Sequence, residues 1–149
     1  MKDFFSMVYE SWLDLFNAKF NLIFTNFYDN GGYIKLGVTF ILVPLILWFA
    51  FYYFWKYPYG KIWHWLLWLV VSGIIVSIIS YSIANTEIFA SNNQALNDAI
   101  ADESTGYKNY AGSLPLSYAL YNGLFAIVIG SICSFLMKQF SKVQIHLPF

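Results

Sequence analysis

Hydrophobic and polar positions divide this chain into long uncharged runs separated by short charged breaks. Residues 36–55, 62–84 and 116–137 contain no Asp, Glu, Lys or Arg. A helix rises about 1.5 Å per residue, so roughly 20 apolar residues cross a hydrocarbon core of about 30 Å, and each run has that length. The pattern predicts an all-α, polytopic membrane bundle with transmembrane helices over 36–55, 62–84 and 115–137.

Residues 4–28 carry a different pattern. Phe and Leu cover most of a helical surface, while Asp3, Glu10, Asp14, Asn17 and Asn21 recur along one narrow stripe. Two placements of this amphipathic helix compete. It lies in the interface with the stripe in water, or it crosses the bilayer with the stripe turned toward protein or a wet cavity. A thin acidic stripe lacks the broad Lys-rich face of interfacial helices, whereas a central Asp costs a crossing roughly 2.5–3.5 kcal/mol. The reading taken forward is a fourth span. Asp3, Glu10, Asp14, Asn17 and Asn21 then become a pore-lining or partner-facing set, and Glu10 and Asp14 the candidates for ion or proton handling.

The breaks are punctuated by turn residues. Asp29-Asn30-Gly31-Gly32 separates the first two helices, because Asn and Gly tolerate positive φ. Pro58 and Gly60 oppose helix continuation between the first two long runs and predict a tight antiparallel hairpin. Ser113-Leu114-Pro115 reads as the start of the last span, with Ser113 as cap and proline in the first turn. Pro44, inside a run, predicts a kink whose freed carbonyl a neighbouring helix or the Thr39 hydroxyl satisfies. The loop 85–114 has room for a short helix over 92–101, and 138–149 is a tail.

Lysine placement predicts the orientation. Lys56 and Lys61 flank the hairpin and Lys138 and Lys142 follow the last span, whereas the long loop carries Glu87, Asp98, Asp102 and Glu103 against Lys108. Positive charge stays in the cytoplasm, which puts the hairpin and C-terminus inside and the loop 85–114 outside. Trp55, Tyr57, Tyr59, Trp63, Trp65 and Trp68 crowd the hairpin and read as interfacial anchors; an aromatic cage or quinone-stacking site is the rival reading.

Small residues recur at helical spacing in two seams, Gly73, Ser77, Ser80 and Ala84 in one span and Ala119, Gly123, Ala126, Gly130 and Ser134 in the next. Such seams let backbones approach closely, either within the chain or against another subunit. Asn122, with Tyr118 and Tyr121 nearby, reads as an interhelical hydrogen-bonding group.

Composition narrows the function classes. The 149 residues are 59% hydrophobic and 11% charged, against about a quarter charged in soluble domains, so one small membrane domain is expected with no catalytic domain attached. Asp3, Glu10 and Asp14 interrupt the N-terminal run, which argues against a cleaved signal. All basic residues other than the two histidines are lysine, which makes nucleic acid an unexpected partner. Cys133 has no second thiol to pair with and reads as a packing residue, and His64 and His146 are too few for a metal or haem site. No cofactor and no metal are expected. Neither a nucleophile with a base nor a phosphate loop is recognisable, so the chain is not expected to be an enzyme.

The expected function is a small non-enzymatic integral membrane subunit that anchors or scaffolds a larger inner-membrane assembly through helix packing. Its expected partners are the lipid bilayer and other membrane subunits or copies of itself. The alternative is a self-assembling pore or membrane-perturbing protein, such as a phage lysis protein or defence effector, with the first helix lining the opening. A transporter is disfavoured, because no inverted repeat is visible. The absence of arginine and the abundance of Asn, Ile, Lys, Phe and Tyr suggest an AT-rich bacterial or phage genome, hence a bacterial inner membrane.

Overall fold

The computed structural model describes residues 1–54 and 61–140. In chain order the elements are α1 (Lys2–Met7), a π-helical turn (Val8–Trp12), a 3-10 turn (Ala18–Phe20), α2 (Asn21–Asp29), α3 (Gly32–Tyr53), α4 (Ile62–Phe89), α5 (Gln94–Ala101), a second 3-10 turn (Glu103–Thr105) and α6 (Tyr107–Lys138). Helices α3, α4 and α6 have windows of mean hydropathy 2.2, 2.3 and 1.9 and are each long enough to cross a bilayer. This is a three-helix membrane bundle. Its outward faces are apolar: Ile46, Leu67, Leu124 and Val128 are more than half exposed, a distribution that suits a lipid solvent and not water.

Unequal helix lengths shape the molecule. α3 has 22 residues, α4 has 28 and α6 has 32. At about 1.5 Å per residue, α6 outruns α3 by roughly 15 Å. Asn122 of α6 meets Leu36 near the start of α3, so the turns of α6 before it stand above α3, and the N-terminal segment and α5 pack at this end: α1 on α3, α2 on α3, α4 and α5, and α5 on α6. This is the capped end of the bundle. At the open end, Trp48, Phe51 and Tyr52 form a second core cluster with Cys133 packed against it.

The single amphipathic helix expected over 4–28 is corrected. The π-helical turn closes with Leu13 N–H donating to Val8 O at 3.1 Å, Asp14 then takes a left-handed φ of 51°, and the chain restarts at Asn17, whose side chain caps Lys19 N–H at 3.1 Å. Asp is one of the few non-glycine residues that tolerates that region. Two tyrosines at the start of α6 capture carbonyls near the break, Tyr110 Oη donating to Leu15 O at 2.7 Å and Tyr107 Oη to Lys19 O at 3.0 Å. The segment doubles back: Lys2 Nζ donates to Asp29 O at 3.3 Å and Tyr28 Oη to Asp3 Oδ1 at 2.5 Å. Its first and last turns therefore meet at one end of the bundle, and it supplies no fourth crossing.

Other boundaries follow the sequence more closely. Gly31, at φ 69°, makes the turn between α2 and α3. α5 occupies the stretch expected to be helical, capped by Asn93 Oδ1 on Leu96 N–H at 3.2 Å. α6, by contrast, starts at Tyr107 after Gly106 (φ 79°), so Pro115 lies inside the helix and not in its first turn, and Ser113 donates to Tyr110 O instead of capping. Pro44 lies within α3 as expected, but Thr39 donates to Lys35 O at 2.7 Å and not to the carbonyl that the proline frees. The hairpin turn 55–60 and the residues from 141 onward lie outside the described residues, including Trp55, Tyr57, Tyr59 and His146.

Glycine decides how the cap seats. The Phe5 ring lies so close to Gly37 that any Cβ there would collide with it, and Phe27 is placed likewise over Gly32. We expect Gly37→Ile to lift α1 while leaving the three long helices assembled. Hydrogen exchange would then rise across residues 2–20 and stay unchanged in α4; unaltered exchange at both would disprove the seating.

Candidate functional site

The polar interior of the bundle converges on one amide. Asn122, fully buried on α6, accepts from Tyr9 Oη at 2.6 Å and donates through Nδ2 to Ser80 Oγ on α4 at 2.8 Å and to Leu36 O on α3 at 3.2 Å. An amide has donors and an acceptor on one rigid plane, which lets a single side chain join four segments. In a hydrocarbon environment the alternative to such partners is an unsatisfied dipole. Tyr9 also packs against Tyr33 and Tyr118, with ring centroids 5.8 and 5.3 Å away. The Tyr33 and Tyr118 hydroxyls are buried beside one another and have the Glu10 carboxylate as a neighbour. The interhelical role expected for Asn122 is what the structure shows.

Beside this core, the capped end holds an open polar cavity of about 560 Å³ between the ends of α2, α3 and α4. Asn26, buried on α2, donates to Glu87 O at 2.8 Å and accepts from Asn30 Nδ2 at 3.1 Å and Ser91 Oγ at 3.0 Å. Glu87, buried in the last turn of α4, receives a short ion pair from Lys35 in the first turn of α3. Asp29, Thr86, Asn92 and Asn93 complete the rim. Sequence reasoning missed this pair, since it reads Glu87 as one of the carboxylates of the long loop. Their separation along the chain by 52 positions leaves no local signal.

The polar stripe of the N-terminal segment is dispersed. Asp3 binds Tyr28, Asn17 caps a turn, Asp14 is exposed at the break, and Asn21 accepts from Thr25 Oγ1 at 3.5 Å. Glu10 and Asn21 remain together on a shallow depression with Phe16, Phe24, Thr25 and Tyr28.

Both small-residue seams pack inside the chain. A methyl at Gly123 would run into Ser77 Oγ and lie 3.2 Å from Gly73 O, so α4 and α6 touch backbone to backbone there. Ser80, Ala84, Ala119 and Ala126 are buried. Gly130 receives the Trp48 ring of α3, and Ser134 Oγ meets Tyr52 Oη at 2.7 Å and Trp65 Nε1 at 2.6 Å. Of the expected interfacial anchors, Trp63 is 74% exposed, whereas Trp65 turns its N–H into the bundle and Trp68 donates to Leu47 O at 3.0 Å. Those two are bundle residues because an indole N–H in an apolar setting seeks a partner. His64 stands at the same open end, half-buried at the start of α4. An apolar groove of about 500 Å³ runs between the outer faces of α4 and α6, with Ser77, Ser117, Tyr121 and Gly123 among its lining residues.

Comparison with known proteins yields no counterpart: no family model, no curated protein and no solved structure matches the chain.

Two outcomes are expected. Asn122→Leu removes three hydrogen bonds and strands Tyr9 and Ser80, and should lower unfolding free energy in detergent by about 2 kcal/mol, whereas Asn122→Gln loses less. A change within error for Asn122→Leu would refute the central role. In the α5–α6 connection, Asp102 accepts from Ser104 N–H at 2.9 Å and Ser104 Oγ at 2.7 Å, which hold its carboxyl below the usual carboxylate range. A depressed folded value means the stabilisation is present above the unfolded value and disappears as pH falls through the folded one. Exchange of the Ser104 amide should therefore accelerate only below the ordinary Asp range, about pH 4, and Asp102→Asn should abolish that pH dependence.

Proposed function

We propose that this chain is a non-enzymatic, multi-pass subunit that anchors or scaffolds a larger assembly in a bacterial inner membrane. The observation that carries the reading is where the polarity goes. Tyr9, Ser80, Asn122, Tyr52, Trp65 and Ser134 spend their polar atoms on holding α3, α4 and α6 together, while the surface left outward at membrane depth is apolar and includes a groove between α4 and α6. Interior bonds of this kind build a stable platform, and an apolar groove with the Ser117 and Tyr121 side chains in its lining suits a partner helix, since side-chain packing and hydroxyl contacts supply association energy in lipid.

The pore reading needs Asp3, Glu10, Asp14, Asn17 and Asn21 on one continuous helix face. The break at 13–17 and the in-chain bonds of Asp3 and Asn17 count against it. Charge placement supports an orientation with the C-terminus cytoplasmic. Asp3, Glu10, Asp14, Asp29, Glu87, Asp98, Asp102 and Glu103 all belong to the capped end or its connections, whereas Lys61 and Lys138 flank the open end. The capped end thus carries these carboxylates against Lys2, Lys19, Lys35 and Lys108, an acidic balance that suits the outer side.

Ile74 and Leu124 line the groove from opposite helices and are both more than half exposed. A photo-crosslinker at either position in native membranes should yield one foreign membrane protein at fixed stoichiometry. Leu124→Trp, which fills the groove, should release that protein without lowering the thermal stability of the bundle. Crosslinks to copies of this chain alone would overturn the subunit reading in favour of self-assembly.

A further inference from the structure

We propose that the cavity at the capped end binds a primary-ammonium zwitterion, a group with a phosphate or carboxylate at one end and –NH3⁺ at the other. The argument begins with helix ends. An α-helix carries partial positive charge at its N-terminus and partial negative charge at its C-terminus, so cations are favoured at the second and anions at the first. Around this cavity the protein does the reverse three times. Lys35 lies in the first turn of α3, Glu87 in the last turn of α4, and Asp29 ends α2.

Lys35 and Glu87 partly neutralise one another through their ion pair. That pair does not exhaust the site. Lys35 keeps 54% of its side chain exposed, against 10% for Glu87, so the ammonium retains free donors toward the cavity. Asp29 makes no ion pair among the described residues, and Lys2 binds its backbone carbonyl at 3.3 Å. The cavity lining therefore offers, beyond that pair, the remaining N–H donors of Lys35 at the start of α3 and the Asp29 carboxylate at the end of α2. A free anion satisfies only the first and a free cation only the second. A zwitterion satisfies both, its anionic end on Lys35 and its ammonium on Asp29, with Asn92 and Asn93 offering amides to either.

The level of the site indicates where such a ligand comes from. Lys35 and Glu87 stand in the terminal turns of two membrane-crossing helices, the depth at which lipid headgroups lie. The ethanolamine headgroup of a phospholipid and a small soluble zwitterion share the required chemistry. The site does not depend on the chain being a subunit.

Native mass spectrometry tests this on the full chain, released from micelles containing equal amounts of phosphatidylethanolamine, phosphatidylcholine and phosphatidylglycerol. Phosphatidylcholine has no N–H to donate and phosphatidylglycerol has no cation, so ethanolamine lipid should be retained at least about tenfold over both, the weight of a lost charge-assisted hydrogen bond. Two variants locate the effect. Asp29→Asn, on an exposed side chain, should abolish the preference and leave thermal stability unchanged. The double exchange Lys35→Glu with Glu87→Lys keeps the ion pair and aligns both charges with the helix dipoles; it should fold at least as stably as the wild type yet lose the preference. Glycerophosphoethanolamine added in excess separates the sources: if it displaces the lipid and binds to lipid-free protein, the ligand is a soluble zwitterion, and if it does neither while the lipid preference holds, the ligand is the membrane lipid. Equal retention of the three lipids together with no binding of glycerophosphoethanolamine would overturn the proposal, as would an undiminished preference in Asp29→Asn.

Discussion

The structure depends on the Asn122 amide being satisfied in the middle of an apolar bundle. Helices in lipid gain little from hydrophobic burial against each other, since lipid tails are as apolar as leucine, and they associate through close packing and hydrogen bonds. Asn122 supplies such bonds to α3, α4 and the N-terminal segment at once. It also explains why the N-terminal segment is part of the fold. Tyr9 reaches the bundle centre only if the chain after it turns sharply, and the π-helical turn and the break at Asp14 provide that turn.

Close backbone approach is the second constraint, and it acts where hydrogen bonds do not. Gly73 and Gly123 bring α4 and α6 together, Gly130 admits Trp48, and Gly32 and Gly37 admit the Phe27 and Phe5 rings. Each is a knob from one segment in a hole on another. The small-residue positions on α6 therefore face both neighbours, Gly123 toward α4 and Gly130 toward α3. A helix of 32 residues that contacts both others along most of its length acts as the spine of the bundle.

The two ends of the bundle are built from different chemistry. At the open end, aromatic side chains close the core, with Ser134 Oγ accepting from Trp65 Nε1 and bonded to Tyr52 Oη. At the capped end, charged and amide side chains gather where helices stop: Lys35 and Glu87 hold α3 to α4, and Asn26 ties α2 to the end of α4. Charge is tolerated at the capped end because Lys35 and Glu87 stand in the terminal turns of α3 and α4, so these groups sit beside water and terminal backbone and not within hydrocarbon.

Taken alone, the sequence determined what depends on local composition. Three uncharged runs of crossing length dictate three helices, Gly31 dictates the turn before α3, the pattern over 92–101 dictates the short helix α5, and a lone amide in an apolar run dictates that Asn122 bonds across helices. Only the tertiary structure decided the path of residues 4–28. Their periodicity is that of a helix, yet Tyr107 and Tyr110, 88 and 95 positions away from the carbonyls they bind, make the broken path the stable one. The same holds for the Lys35–Glu87 pair, for the inward turn of Trp65 and Trp68, and for the start of α6 ahead of Pro115. Hydrophobic periodicity records which side of an element is buried, but not which distant polar group waits there. Where backbone carbonyls or charges are satisfied by side chains from another part of the chain, the fold decides, because a hydrogen bond made across the bundle outweighs the weak local preference it overrides.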